Sequence, residues 1–205
     1  MTSFVCTKSY EAPPIDEKEI LRYAGVRGDG AELLPLLREC LDEIKGKLVY
    51  KVCYCETDAS ADGGTVSLGG LTVKSNDLSR TLSGCHGAIL FAATVGIAVD
   101  RLILRYTSLS PTKALFFQAI GAERIESLCD AFVAQMEQEK AKACCLLRSR
   151  FSAGYGDLPL SVQSDLFALL DPARHIGVTL NESLLMTPTK SVTAIVGYYK
   201  NLAVE

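Results

Sequence analysis

Residues 48–55 read LVYKVCYC, and they separate the chain's first helical part from its first sheet. β-Branched and aromatic side chains dominate the stretch and its apolar residues partly alternate, so it reads as a strand. Just before it, Leu33, Leu34, Leu37, Cys40, Leu41 and Ile44 recur at helical spacing and Gly46 closes the pattern. This predicts a helix from about Ala31 to Lys45, with Pro35 tolerated because it falls near the first turn. An earlier helix is expected to start at Asp16, which has Glu19 at capping-box spacing, and to end near Gly25.

Working outward, Thr65 to Lys74 reads as strand broken at Gly69-Gly70, and Asp58 to Gly64, built of Ala, Ser, Asp and Gly, as a loop. A short helix is expected over Asn76–Leu82, capped by Ser75 or Asn76. The continuous apolar run from Gly87 to Ala93 fits a buried strand. Helices follow at Ile97–Tyr106 and from Ser110-Pro111 to about Lys142. Gly121 inside the second either permits close packing or bends it. Cys144–Phe151 reads as extended, Ser152–Pro159 as a loop, and Ser161 as the cap of a helix that Asp171-Pro172 ends. Ile176–Leu180 and Ser191–Tyr199 read as the last strands. Helices, strands, helices and strands in that order, without βαβ alternation, indicate an α+β fold: a mainly antiparallel bent sheet with helices packed on it. The expected organisation is one domain over 1–205, with an N-terminal helical segment at 1–46 and the remainder at 47–205.

Of the 205 residues, 48% are hydrophobic and 22% charged, enough for a core that needs neither disulfide nor metal. The net charge of −3, with no run of Lys or Arg, speaks against a nucleic-acid or anionic-membrane partner. Met1–Tyr10 has no apolar signal region, and the longest apolar stretch, Ala88–Val99, is too short to span a bilayer. A cytoplasmic location is expected. None of the eight cysteines forms a Cys-x-x-Cys pair, so they read as small buried apolar residues, with Cys53 and Cys55 facing one way along a strand.

The segment richest in recognition chemistry is Arg150-Phe151-Ser152-Ala153-Gly154-Tyr155. A guanidinium holds a carboxylate with two parallel hydrogen bonds. Ala153 and Gly154 leave backbone groups open to close approach, and Tyr155 adds a flat face with a polar tip. Together these residue types suit a zwitterionic, amino-acid-like ligand. Glu123, Glu126 and Asp130 read as the solvated face of the long helix, with Glu123 and Glu126 one turn apart and able to share it. His86 reads as a partly buried, hydrogen-bonded residue, His175 has no assignable role, and Glu182 reads as a turn or cap residue. No catalytic triad and no metal cluster stands out, so whether the chain is itself an enzyme is left open.

Arg150-x-x-x-Gly154-Tyr155 is followed by a helix through Leu169-Leu170, then His175, Gly177, Leu180-Asn181-Glu182-Ser183, Met186, Pro188 and Ser191-Val192. This order resembles the end of the activation domain of cobalamin-dependent methionine synthase. Weaker likenesses lie upstream at Leu82-Ser83-Gly84-Cys85, at Leu90–Gly96 and at Ala119–Asp130, so the resemblance spans roughly 75–197. It implies a domain that binds S-adenosylmethionine and docks on a corrinoid protein, a methionine synthase or a related methyltransferase. There, as part of a methyltransferase system, it would remethylate oxidised cobalamin with one electron from a flavodoxin-like or ferredoxin-like donor. It also implies that Arg150 and the backbone of Ala153 and Gly154 hold the methionine part of the cofactor, with Tyr155 toward the corrin. After its Gly-Tyr the family carries a Cys-Pro-Glu/Asp-His-Thr type of segment. Here Gly156–Val162 follows and only Pro159 matches. That departure implies an alternative: a non-catalytic corrinoid-protein docking module that has lost S-adenosylmethionine binding.

Overall fold

The chain starts with a short strand, β1 (Cys6–Ser9), then α1 (Glu17–Tyr23), a 3-10 turn at Ala31–Leu33 and α2 (Leu34–Ile44). This computed structural model describes residues 4–28 and 30–201. Residues 1–3, Asp29 and residues 202–205, with the chain end at Glu205, lie outside the described residues. Asp16 caps α1, accepting from the Lys18 and Glu19 N–H groups at 2.9 and 3.1 Å. Glu19 does not close the expected capping box, because its carboxylate is held by Arg22. The Asp16 N–H donates instead to Glu123 Oε1, 3.2 Å away on a later helix.

The sheet follows, as β2 (Lys51–Asp62), β3 (Thr65–Leu68) and β4 (Leu71–Lys74), then α3 (Asn76–Thr81) and β5 (Gly87–Thr94). Next come α4 (Ala98–Leu109), α5 (Pro111–Ala141), β6 (Cys145–Leu147), α6 (Val162–Leu170) and α7 (Pro172–Ile176). The short pair β7 (Thr179–Leu180) and β8 (Met186–Thr187) precedes the last strand, β9 (Ser191–Lys200). Strand order is β4-β3-β2-β5-β9-β6, with β1 also on β2, and every pairing is antiparallel.

Both faces of the sheet are covered. Along β5, Ile89, Phe91 and Ala93 enter one core with Val52, Tyr54, Ala194 and Val196, beneath α1, α2, α4 and α5. Ala88, Leu90 and Ala92 enter a second core with Cys53, Cys55 and Ile195, beneath α3, α6 and α7. Alternating side chains therefore go to two apolar layers, which is why β5 is apolar throughout its length. Gly121 resolves as a close-packing position: a Cβ there would run into Val99 of α4 and Lys190.

Three sequence readings are corrected. Residues 58–62 are not a loop but the second half of β2, since Ala59–Asp62 pair with Leu68–Thr65 and only Gly63-Gly64 turns. Their composition misleads because this end of the strand buries Ala59 while Ser60 and Asp62 face water. Residues 176–178 are not strand. Asp171, in the left-handed region at φ 42°, ends α6 and caps α7, which delays the strand to Thr179. Ser161 is itself helical at φ −57° and makes no side-chain cap. The four-residue β1 has too short an alternation to register in sequence.

Candidate functional site

Arg150 owes its position to an irregularity in the sheet. β6 pairs with β9 in the register Leu147↔Tyr198, and the Arg148 N–H donates to Gly197 O at 2.8 Å. The next pairing is Phe151↔Ile195, closed by N–H···O bonds of 2.9 and 2.8 Å. Three steps on the incoming strand thus match two on β9, which is a β-bulge. The extra residue reverses the side-chain alternation. Phe151 packs into the core under α6, and Arg150 points to the opposite face, toward α5.

There it meets two carboxylates one helical turn apart. Arg150 Nη2 donates to Glu126 Oε2 at 3.1 Å and to Asp130 Oδ1 at 2.7 Å. The side chains are 25% exposed for Arg150, 43% for Glu126 and 72% for Asp130, so the cluster opens to solvent. Cys129, between the two acids in sequence, is buried, and burial pushes its thiol up to about 12. Arg148, on the other side of the bulge, donates to Ser83 O at 3.0 Å and stacks 4.2 Å from the Tyr199 ring.

The Ala153–Leu158 segment is a tight bend. Gly154, at φ +83°, donates its N–H to Leu158 O at 3.0 Å, and Leu158 N–H donates to Tyr155 O at 3.0 Å. Leu158 is buried in the second core while Tyr155 stands exposed, edge-on to Phe151 with ring centres 6.3 Å apart. Among the described residues, the backbone of Ala153 has no hydrogen-bond partner within the chain.

A reciprocal clasp anchors this bend to α3. The Asp157 carboxylate accepts from Ser75 Oγ, from Asn76 N–H at 2.7 Å and from Asp77 N–H at 3.2 Å. Asp77 Oδ2 in turn accepts the Asp157 N–H at 3.2 Å. These bonds, led by that from Ser75, hold the Asp157 carboxyl down at about 2 against an ordinary 3.8. Gly156, at φ +53°, sits where a Cβ would collide with Asp77. The clasp lies in the segment where the chain departs from the resemblance noted above.

The four sequence candidates therefore fall into two groups. Arg150 faces α5, whereas the bend carrying Ala153, Gly154 and Tyr155 packs against α3 and the α6 layer. Among the described residues no hydrogen bond or ring contact joins Arg150 to the bend. Glu126 and Asp130, read as a solvated face, are the partners that sequence reasoning missed. Their signal was an i,i+4 acid pair, which needs a cation from elsewhere in the chain to acquire meaning. Glu123 does not share that face: it is buried in an ion pair with Arg124, 3% and 2% exposed respectively. Arg124 also donates to Pro13 O and Pro14 O, both at 2.6 Å. Burial pulls the Arg124 guanidinium down, and Glu123 outweighs it, so the charge is retained.

His86 lies edge-on to Tyr198 with ring centres 5.1 Å apart, and His175 Nδ1 is 3.1 Å from Thr7 Oγ1. In the loop before β8, Asn181 Oδ1 accepts the Leu185 N–H at 2.9 Å, so Asn181 rather than Glu182 organises the turn. Cys40, Cys53, Cys55, Cys85, Cys129 and Cys145 are buried, and Cys144 is exposed. Among the described residues no group of three His, Cys, Asp or Glu side chains is placed to hold a metal ion, and no helix is long and apolar enough to cross a membrane.

Comparison with known proteins matches residues 87–202 to the family described as vitamin B12 dependent methionine synthase, activation domain. Among solved structures, a crystal structure of the MetH reactivation domain bound to AdoHcy has the same fold. The TM-score is 0.71 at 14% identity, over 95% of this chain and 78% of that one. No curated protein matches in sequence.

Proposed function

This chain belongs to the family of the vitamin B12 dependent methionine synthase activation domain, and from that membership we propose that it returns an oxidised corrinoid to its methylated state. The corrinoid is carried by a methionine synthase or a related methyltransferase, and the methyl donor is S-adenosylmethionine. When bound, S-adenosylmethionine would supply the methyl group to the partner's corrinoid, once reduced by one electron from a flavodoxin-like or ferredoxin-like protein, and would leave as S-adenosylhomocysteine with the carbon–sulfur electron pair on sulfur.

The observation that carries the proposal is the open cluster of Arg150, Glu126 and Asp130 on the α5 face of the sheet. The amino-acid end of S-adenosylmethionine bears a carboxylate and an ammonium. Arg150 is the matching fork for the first, and Glu126 and Asp130 are matching acceptors for the second. Binding then exchanges one set of ion pairs for another without stranding a charge. The separate bend presents the free backbone of Ala153 and the exposed, flat ring of Tyr155 toward the partner. The chain's residues orient the reacting groups, and no protein base is needed, since the cofactor carries the chemistry.

Calorimetry with S-adenosylmethionine tests this directly. Binding heat that disappears in Arg150→Ala, and methylcorrinoid formation with a corrinoid methyltransferase and a reductant, are the expected results. A second reading has its own support, because the Arg150 guanidinium is already engaged by two carboxylates. In that reading the chain docks on the corrinoid protein without binding S-adenosylmethionine. Absence of heat with the wild type, together with retained binding to the corrinoid partner, would establish it.

A further inference from the structure

The bulge that carries Arg150 is held at both ends from one face of the sheet. Beyond it, Phe151 enters the second core. Before it, the Arg148 N–H donates to Gly197 O at 2.8 Å, and the Arg148 side chain lies on the α3 side. There Nη2 donates to Ser83 O at 3.0 Å, and the guanidinium stacks 4.2 Å from the Tyr199 ring. Burial pushes the Cys85 thiol up, and the hydrogen bond and charge of Arg148 oppose that rise, so the same guanidinium borders Cys85. The Arg148 Nε is buried and, among the described residues, has no hydrogen-bond partner. Leaving a charged donor so placed costs free energy. Arg148 touches no member of the Arg150 cluster, and the chemistry proposed above does not use it.

The surrounding backbone explains what such a side chain does there. β6 has three residues and ends the sheet, with β9 on one side only. A strand held by so few ladder bonds opens readily, and the bulge leaves one more residue unpaired. The Arg148 guanidinium supplies what the ladder lacks, a flat cation against an aromatic face and a donor to a turn carbonyl. Its fellow anchor, Phe151, is fixed to the same side of the sheet. The two residues between these anchors, Ser149 and Arg150, stand opposite Val196 alone on β9. With both neighbours pinned to the α3–α6 side, Arg150 projects to the α5 side, where it meets Glu126 and Asp130.

We infer that Arg148 is a positioning residue for the ligand fork: clamped between Tyr199 and Ser83 O, it holds the bulge in the geometry that aims Arg150 at α5. The inference rests on the reading of Arg150 as the group that takes the ligand's carboxylate. It requires an arginine, because an ammonium has no planar face for Tyr199.

Calorimetry of the full chain with S-adenosylmethionine tests it. Arg148→Ala and Tyr199→Leu each weaken binding by about five- to tenfold, and Arg148→Lys recovers less than half of that loss. In an Arg150→Ala background, Arg148→Ala adds no further loss, since no fork remains to be aimed. A merely structural role would lower affinity by the same factor in both backgrounds. Deleting Ser149 makes the strand regular, and there Arg148→Ala leaves affinity within about twofold of the deletion alone. Equal factors in the two backgrounds, or a full loss that persists without Ser149, overturns the inference. A second readout needs no ligand: by NMR relaxation, the Arg150 Nε–H becomes more mobile in Arg148→Ala and Tyr199→Leu and is restrained again when Ser149 is deleted. Unchanged mobility in Arg148→Ala also overturns the inference. Absence of heat with the wild type strikes the binding reading instead, and the relaxation measurement still decides whether Arg148 aims Arg150.

Discussion

Two arginines rest on acids of the same helix, α5, and do opposite things. Arg124 and Glu123 are 2% and 3% exposed, sealed beneath the Pro13-Pro14 strap whose carbonyls take the remaining guanidinium hydrogens. Arg150 reaches Glu126 and Asp130 from a neighbouring strand, and its partners stand in solvent. The first pair has no position from which to exchange partners. Its charge is spent on tying the N-terminal strap, the Asp16 cap and α5 together. The second can release its acids to a ligand with little desolvation to overcome. Residue type is identical in the two cases, and burial decides which pair is locked and which is open to exchange.

The largest expected effect breaks the buried pair. Glu123→Ala leaves the Arg124 charge without its carboxylate, and denaturant unfolding should register a loss of about 3–5 kcal/mol. A loss no greater than that of Arg150→Ala would dissolve the distinction. Arg150→Ala should change unfolding free energy by under about 1 kcal/mol. The same variant should weaken S-adenosylmethionine binding by about 2 kcal/mol, roughly thirtyfold in Kd, by calorimetry. Arg150→Lys should recover only part of this, because an ammonium lacks the planar fork.

Deleting Ser149 sharpens the comparison further. It removes the residue in excess over β9 and sets Arg150 opposite Val196, whose side chain enters the α5-side core, so Arg150 should stay on the α5 face of a now regular strand. Binding should then survive the deletion, with the sheet content seen by circular dichroism retained, in contrast to its loss in Arg150→Ala.

The smallest effect concerns the clasp at the bend. Asp157→Asn should lower stability slightly, because it removes a charged acceptor from the first N–H groups of α3. The Asp157 carboxyl is depressed from 3.8 to about 2, so its contribution is complete above pH 3.8 and is lost as pH falls toward 2. The gap between wild-type and Asp157→Asn melting temperatures should therefore close across that window, and a gap that persists at its acid end would show that the clasp contributes nothing through its charge.

Local regularity was legible in the residues. The helical spacing of Leu37, Cys40, Leu41 and Ile44, the Pro111 start of α5 and the unbroken apolar run of β5 each record a single element's own period. The second half of β2 was not legible, because its strand character comes from pairing with β3 and its composition from facing water. Arg150 was singled out as a recognition residue, but its acidic partners were not, since they lie 24 and 20 positions upstream on a helix face that looks solvated when taken alone.

By itself, then, the sequence determined most of the helices, the central strand β5 and the antiparallel α+β class. Those follow from backbone periodicity and residue chemistry, which act within a few residues. Only the tertiary structure decided that one extra residue opposite β9 turns Arg150 toward α5, that Arg124 rather than Arg150 is buried, and that Asp157 clasps α3. Each depends on which distant groups meet and how much water remains between them, and that is settled when the layers pack.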